Sequence, residues 1–355
     1  MPEPKLIADP DLVTAEWLTD VLRHGGAIGD DSTVAAFTYG EIGTGQVGAN
    51  VRYTMTYEGT AGPASIVCKF ASRDEQSAAT GIQTLTYETE VAFYRDLADS
   101  VDISRPRCHY VGIEHGTADV VLVMEDLAPA EQGDQITGCT VEDATLAIDE
   151  VAKLHGPRWN DESLKELAWL DRTATSGGMS MMFDGFWTMF VDRYRSTLDD
   201  VTIEHGERLK TALGGMRAHV PPAFTPIHYD YRLDNMLFGG PRRLTVVDWQ
   251  TVQLGSGPYD VAYFLGNSFD ADVRRGCEEG LVRRYHEALL GYGVQDFSFE
   301  TCWEEYRRYA HASFVMAIFS SILVGRTDRG DAMFMAMANR SAQMAEDLDT
   351  FALLA

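Results

Sequence analysis

The residues with the clearest capacity for chemistry fall in one short segment. His228-Tyr229-Asp230-Tyr231-Arg232-Leu233-Asp234-Asn235 runs into Met236-Leu237-Phe238, and after Gly239-Gly240-Pro241 a second apolar run, Leu244-Thr245-Val246-Val247, ends in Asp248-Trp249. Two strand-like runs therefore bracket a loop, and each delivers a carboxylate or an amide at its end. Such a set suits phosphoryl transfer, in which a carboxylate orients an acceptor hydroxyl and two oxygen ligands hold Mg²⁺ while donor and acceptor oxygens stay in line. Asp230 can take the first role, and Asn235 and Asp248 the second. A carboxylate and a neutral amide suit a hard cation that keeps some of its waters and also uses phosphate oxygens. Taken singly, each of these residues reads as an ordinary turn former; their placement between apolar strands favours chemistry.

A second set lies nearer the N-terminus. Glu41-Ile42-Gly43-Thr44-Gly45-Gln46-Val47-Gly48 spaces its glycines at 43, 45 and 48 between two strand-like runs. This spacing also opens dinucleotide folds, but those require a helix directly after the last glycine. Ala49 to Tyr57 instead alternates as a strand, so the loop looks more like a lid over phosphates than the start of a dinucleotide site. Lys69 lies in Ile66-Val67-Cys68-Lys69-Phe70, where an uncompensated ammonium among apolar neighbours is costly. A phosphate contact and a carboxylate from the following helix, YETEVAFYRDL, would remove that cost. The plain alternative is an edge-strand lysine.

These residues need elements to position them. Thr14 can cap a helix that presents Trp17, Leu18, Val21 and Leu22 to one side before Gly25-Gly26 stops it. Strands are expected over 33–42, 50–57, 65–70, 108–113 and 120–124, with a helix over 84–97 on which Leu85, Val91, Tyr94 and Leu97 recur near helical spacing. The polar, turn-rich segment 125–138 then connects to helices over 141–155, 181–198, 204–220, 272–291, 300–323 and 331–348, interrupted by the β-rich patch 224–249. Strands grouped before helices describe an α+β protein rather than repeated βαβ units.

Composition sets the remaining bounds. The chain has 355 residues, 45% of them hydrophobic, enough for a substantial core. Its 54 acidic and 29 basic residues leave a formal charge of −25, which opposes binding to a nucleic-acid backbone and would attract a cationic substrate. Five scattered cysteines, with no CxxC pair, read as reduced thiols. The start of the chain shows no export or transit pattern, and the most apolar stretch, 312–325, is too short for stable membrane insertion. A cytoplasmic protein is expected.

The HxDxxxxN arrangement with the later Asp-Trp-Gln resembles the catalytic and magnesium-binding loops of the protein-kinase-like fold, in the branch of aminoglycoside and choline phosphotransferases. The run VVDWQTVQLGSGPYDVAYFLGNSF is similar to that of ecdysteroid-kinase-like members. The resemblance spans roughly residues 35 to 330 and keeps the motifs in kinase order. It implies a bilobal α+β fold, with a small β-rich nucleotide-binding lobe and leading helix over 1–127 and a large, mainly helical lobe with the catalytic and acceptor sites over 128–355. It also implies an ATP-dependent O-phosphotransferase acting on a hydroxyl of a small molecule, with ATP and Mg²⁺ as cofactors.

By this resemblance Asp230 is the catalytic base, Asn235 and Asp248 bind Mg²⁺, and His228 braces the loop. Arg232 lies where kinases place a cation near the transferring phosphate, although an Arg paired with Asp234 or lying in solvent is an equal reading. Gly43, Gly45 and Gly48 would cover the ATP phosphates, Lys69 would contact them, and Glu90 would pair with Lys69. Asp260 resembles a structural Asp that holds the catalytic loop, with simple helix capping as the alternative. His155 reads as a packing or helix-end residue. Tyr229 stands where aminoglycoside kinases often have Gly, and Trp249-Gln250 where protein kinases have Phe-Gly; a protein substrate is not expected. A small hydroxylated acceptor, cationic or apolar/alicyclic, would meet a pocket that includes Phe183, Phe186, Trp187, Tyr194, Tyr306 and residues 316–323, although aromatics at helical spacing are normally core. The competing reading is a nucleotide-binding regulatory protein of the same fold that transfers nothing.

Overall fold

The structure, a computed structural model, describes residues 3–43 and 48–354, and the side chains of these except at 173–180 and 214–218. Gly45 therefore lies outside the described residues. The chain forms two compact units: Met1–Asp99, Arg105–Pro129 and Asp248–Gln250 make the smaller, and Ser100–Ser104, Ala130–Val247 and Thr251–Ala355 the larger.

In the smaller unit, α1 (Ala15–His24) begins where Thr14 Oγ1 accepts the Trp17 amide at 3.2 Å, and it buries Trp17, Leu18, Val21 and Leu22. Strands β1 (Thr33–Ile42), β2 (Gly48–Glu58), β3 (Ser65–Ala71), β4 (Cys108–Ile113) and β5 (Val120–Glu125) form an antiparallel sheet in the order β1-β2-β3-β5-β4. Alternation along β2 and β3 sends Val51, Tyr53, Met55, Ile66, Cys68 and Phe70 into one core with the apolar side of α1. Tyr87 and Val91 form a second cluster with Val120, Leu122 and Met124.

The helix expected over 84–97 starts at Thr86, turns π-helical from Phe93, and is preceded by a further helix not expected from the sequence. The chain forms α2 (Glu75–Gln83) and α3 (Thr86–Ala92), then a π-helical turn over Phe93–Leu97. Leu85, between the helices, takes φ +57° and exposes its side chain, a conformation that a continuous right-handed helix cannot contain.

The larger unit comprises β6 (Glu131–Gln132), α4 (Val141–His155), α5 (Thr173–Tyr194), α6 (Asp200–Ala218), β7 (Thr225–Ile227), β8 (Met236–Phe238), β9 (Leu244–Val246), β10 (Gln253–Gly255), α7 (Pro258–Ser268), α8 (Ala271–Gly291), α9 (Phe299–Arg308), α10 (Ala312–Leu323) and α11 (Asp328–Asp347). Thr140 and Asp143 close a capping box on α4. The short strands pair as β6-β8-β9 and β10-β7. The single helix expected over 300–323 is two, because Tyr309 caps α9 with ψ 8° and α10 restarts after His311.

Phe183, Trp187, Phe190 and Tyr194 share one face of α5 and pack with Phe314, Phe319 and Phe334 in the main core of this unit. Four of the aromatics expected at an acceptor pocket are thereby accounted for by packing: Phe183, Trp187 and Tyr194 are buried in that cluster, with Phe186 half-buried against it. Tyr306 is buried as well, its hydroxyl 3.0 Å from Glu278.

The crossing of chain between units has local causes. Residues 100–104 are tied to the larger unit by Asp102 N to Lys153 O (3.0 Å), Ser104 N to Glu150 (2.7 Å) and Val246 N to Ser104 O (2.8 Å). Residues 248–250 belong to the smaller unit, where the Trp249 indole stacks on Phe93 at 4.0 Å and an interplanar angle of 5°. All five cysteines are free. Among the described residues no helix is long and apolar enough to cross a membrane.

Candidate active site

In the smaller unit the candidate residues gather around one ammonium. Lys69 is on β3, between β2 and β5, so the edge-strand reading does not hold. Inward-facing Cys68 and Phe70 turn Lys69 to the opposite side of the sheet, where its Nζ lies 2.6 Å from Glu90 and 2.7 Å from Asp248. Burial alone would lower the pKa of this ammonium; the carboxylates of Asp248 and Glu90 outweigh it and hold the pKa above its ordinary value. Burial pushes the Glu90 carboxyl up. Glu90 also accepts the Trp249 amide at 3.3 Å, and Gln250 donates to the other oxygen of Asp248 at 3.2 Å.

Two of the three glycines flanking this set can be placed. Gly43 takes φ +74°, which favours glycine. Gly48 is already in β2, opposite Ala71, and a Cβ there would lie 3.1 Å from both Lys69 Cε and Phe70 O. The small residue at 48 thus leaves room for the lysine side chain. Since β2 follows the glycine segment with no helix between, the dinucleotide reading fails.

In the larger unit β7 leads into the segment 228–238. Asp260, on the first turn of α7, accepts His228 N at 2.6 Å and Tyr229 N at 2.9 Å, and His155 Nε2 lies 3.2 Å from the same carboxylate. Gly257, not Asp260, is the N-cap of α7, so Asp260 holds the loop rather than capping a helix. His228 is buried, with Nε2 3.1 Å from Val247 O, a bracing position. Tyr229 takes φ +70°, a strain of about 1–3 kcal/mol for a bulky side chain. The Asp260 bond and a parallel stack on Tyr259 at 4.8 Å hold it there.

The Asp230 carboxylate is fixed from three sides. Tyr263 donates its hydroxyl to Oδ1 at 2.7 Å, Asn235 Nδ2 donates to Oδ2 at 2.9 Å, and Arg232 Nε lies 3.1 Å from both oxygens. Asn235 also donates to the Asp230 carbonyl at 2.9 Å, and its own carbonyl accepts Val247 N at 2.9 Å. With its nitrogen committed to Asp230, the amide oxygen of Asn235 is the atom suited to a cation. Burial raises the pKa of the Tyr263 phenol well above its ordinary value, and the Asp230 charge adds to this, so the phenol stays a donor.

Arg232 pairs with Asp234 at 2.9 Å, as the plain alternative had it, and with Asp230 as well. Sequence reasoning did not identify Tyr263, Gln135 or Arg329 as parts of this network. Gln135 accepts Leu233 N at 3.0 Å, and Arg329 binds Asp234 through both terminal nitrogens. Among the described residues no cluster of three or more His, Cys, Asp or Glu forms a metal cage.

A carboxylate oriented at the end of a short strand and a lysine paired with two acids on a small antiparallel sheet define a phosphotransferase of the protein-kinase-like fold. The family model of the phosphotransferase enzyme family APH matches residues 57–297, and the chain belongs to that family. Among solved structures, choline kinase from Cryptosporidium parvum aligns with a TM-score of 0.59 at 9% identity, over 96% of this chain and 98% of its own. Ethanolamine kinase from Plasmodium vivax aligns with a TM-score of 0.52 at 10% identity, over 89% and 83%. The GDP complex of aminoglycoside 2'-phosphotransferase-IIIa aligns with a TM-score of 0.51 at 12% identity, over 87% and 93%. No curated protein matches the chain.

Proposed function

We propose that this phosphotransferase moves the γ-phosphoryl group of ATP to a hydroxyl of a small molecule, with the smaller unit handling the nucleotide and the larger the acceptor. The observation that carries this reading is the Asp230 carboxylate, held by three donors on the loop that follows β7. Asp230 would accept a hydrogen bond from the acceptor hydroxyl and take its proton as transfer proceeds. Lys69 would hold the α/β-phosphates, with Glu90 keeping the ammonium charged and in place. Arg232 would balance charge beside Asp230, and His228 keeps the loop in position.

Asp248 and Asn235 are assigned the role of magnesium ligands. The residues fit this role: Asp248 already carries a cation, the Lys69 ammonium, and the Asn235 amide presents a hard oxygen. One carboxylate and one amide suit Mg²⁺ when phosphate oxygens and waters complete its shell. Bound magnesium would neutralise charge on the phosphates.

The half-buried tyrosines 229, 259 and 309 support an acceptor with an apolar or cationic body, since their π-faces suit both. The narrower likeness to ecdysteroid-kinase-like members and a cytoplasmic location belong to the same proposal. The test is a screen of diverse alcohols with magnesium and ATP, read by mass spectrometry for addition of one phosphoryl group. A phosphorylated product supports the reading; tight binding of magnesium-ATP with no product from a broad panel favours the regulatory alternative.

A further inference from the structure

Arg329 occupies a position that its helix disfavours. It lies in the first turn of α11, where Thr327 caps the end by accepting Gly330 N at 3.0 Å. The positive end of the helix dipole opposes a cation there and favours acids such as its neighbours Asp328 and Asp331. A residue that breaks a local rule has a reason elsewhere. Its guanidinium forms two parallel bonds to the buried Asp234 carboxylate, at 3.0 and 2.9 Å, and lies 3.4 Å from Asp134. One turn later on the same face, Met333 places its sulfur 3.2 Å from Arg232 Nη1. The start of α11 therefore touches both members of the Asp234–Arg232 pair.

Charge accounts for what the grip does. Asp230 and Asp234 are balanced by Arg232 and Arg329, with the Gln135 amide completing the shell of Asp234 at 3.0 Å. Without Arg329, two carboxylates would compete for Arg232, and the more buried Asp234 would draw it away from Asp230. We infer that Arg329 is a positioning residue for phosphoryl transfer: by gripping Asp234 it keeps Arg232 shared between Asp234 and Asp230, and so fixes the Asp230 carboxylate. The inference rests on the reading of Asp230 as the group that orients the acceptor. Lysine cannot substitute, because a point charge lacks the planar fork that matches a carboxylate at two points.

The test reads the loop and the reaction separately. Hydrogen exchange, followed by mass spectrometry on peptides covering 228–238, compares wild type with Arg329→Ala and Arg329→Lys. Arg284→Ala serves as control, since it removes an exposed fork to Asp149 (2.6 and 2.8 Å). Exchange in the loop is expected to quicken about tenfold in both Arg329 variants, as local opening becomes easier, and to stay unchanged in the control. Equal exchange in wild type and both variants overturns the inference, and should the Ala variant fail to fold, the Lys variant decides. With an alcohol that the wild type phosphorylates, kcat falls about a hundredfold in both variants, the loss that a ~1 Å misplacement brings, while KM for magnesium-ATP holds. A wild-type kcat with only a lowered melting temperature makes Arg329 a mere staple and overturns it too. A wild type that phosphorylates no alcohol sinks the functional reading but not the grip, on which the exchange measurement decides alone.

Discussion

Lys69 and Asp234 occupy mirrored ionic settings. In the smaller unit one cation stands between two carboxylates, Glu90 at 2.6 Å and Asp248 at 2.7 Å. In the larger unit one carboxylate stands between two guanidiniums, each 2.9 Å away. The first set has acid to spare and can accept a further cation, as the proposed metal and nucleotide site requires. The second, with Asp230 included, matches the carboxylates of Asp230 and Asp234 with two guanidiniums and leaves the half-exposed Asp134 at its rim, 3.4 Å from Arg329, which suits holding a geometry. The difference supports the binding role proposed for the first set and the positioning role proposed for the second.

The largest disturbance expected is Lys69→Met. It leaves Glu90 and Asp248 without their shared cation and should cost about 3 kcal/mol in a urea titration, the scale for breaking a buried pair. Because burial has already raised the Glu90 carboxyl, Glu90 will take up a proton in the variant, and the loss should shrink at acid pH. A loss that is the same at acid and alkaline pH would break the account of this set.

Asp234→Asn is the mirrored test. It keeps the shape but leaves Arg232 and Arg329 facing each other across a neutral amide, and should cost about 2 kcal/mol. No change in the urea midpoint would mean that this network carries no load.

Acid sensitivity sharpens the contrast, because the larger unit has a weakness outside its ionic set. His311 is buried, neither ring nitrogen has a hydrogen-bond partner among the described residues, and burial, then the charges of His205 and Arg308, push its pKa down to about 3. The unfolded imidazole takes a proton near its ordinary value of 6.5, the folded one only near 3. Stability is therefore fully present above pH 6.5 and is lost as pH falls toward 3, by up to about 1.4 kcal/mol per pH unit. Burial pushes the Asp234 carboxyl up, but its bonds to Arg329 and the charge of Arg232 outweigh this and lower it on balance. Its contribution is therefore lost only below the ordinary carboxylate value of 3.8. His311→Phe should flatten the pH dependence between these two ranges; a slope as steep as that of wild type would contradict it. The smallest effect belongs to Arg284→Ala, an exposed pair expected to change stability by less than about 1 kcal/mol.

Elements with strong periodicity could be read before any coordinates. The alternation in β2 and the capping threonine of α1 specify their structures locally, and the spacing from Asp230 to Asn235 singled out the loop. What escaped lacks a local signal. Leu85 takes a left-handed conformation that nothing in its residue type advertises, so the helix expected from 84 starts only at Thr86, and α2, weakly amphipathic and rich in small and polar residues, carries no clear periodic signal. The break between α9 and α10 at Tyr309-Ala310-His311 contains neither glycine nor proline. Arg329 reaches Asp234 across 95 residues and Tyr263 reaches Asp230 across 33, pairings that only the packed fold creates. The α5 aromatics had the spacing of a core face, and core is what they form.

Asp230→Asn tests the central claim most directly, with phosphoryl transfer and magnesium-ATP affinity measured on the same preparation. Loss of the carboxylate should lower turnover by roughly a hundredfold to ten-thousandfold, the range for a positioned base, while nucleotide affinity stays at its wild-type value. Transfer at the wild-type rate by the Asn variant would contradict the account.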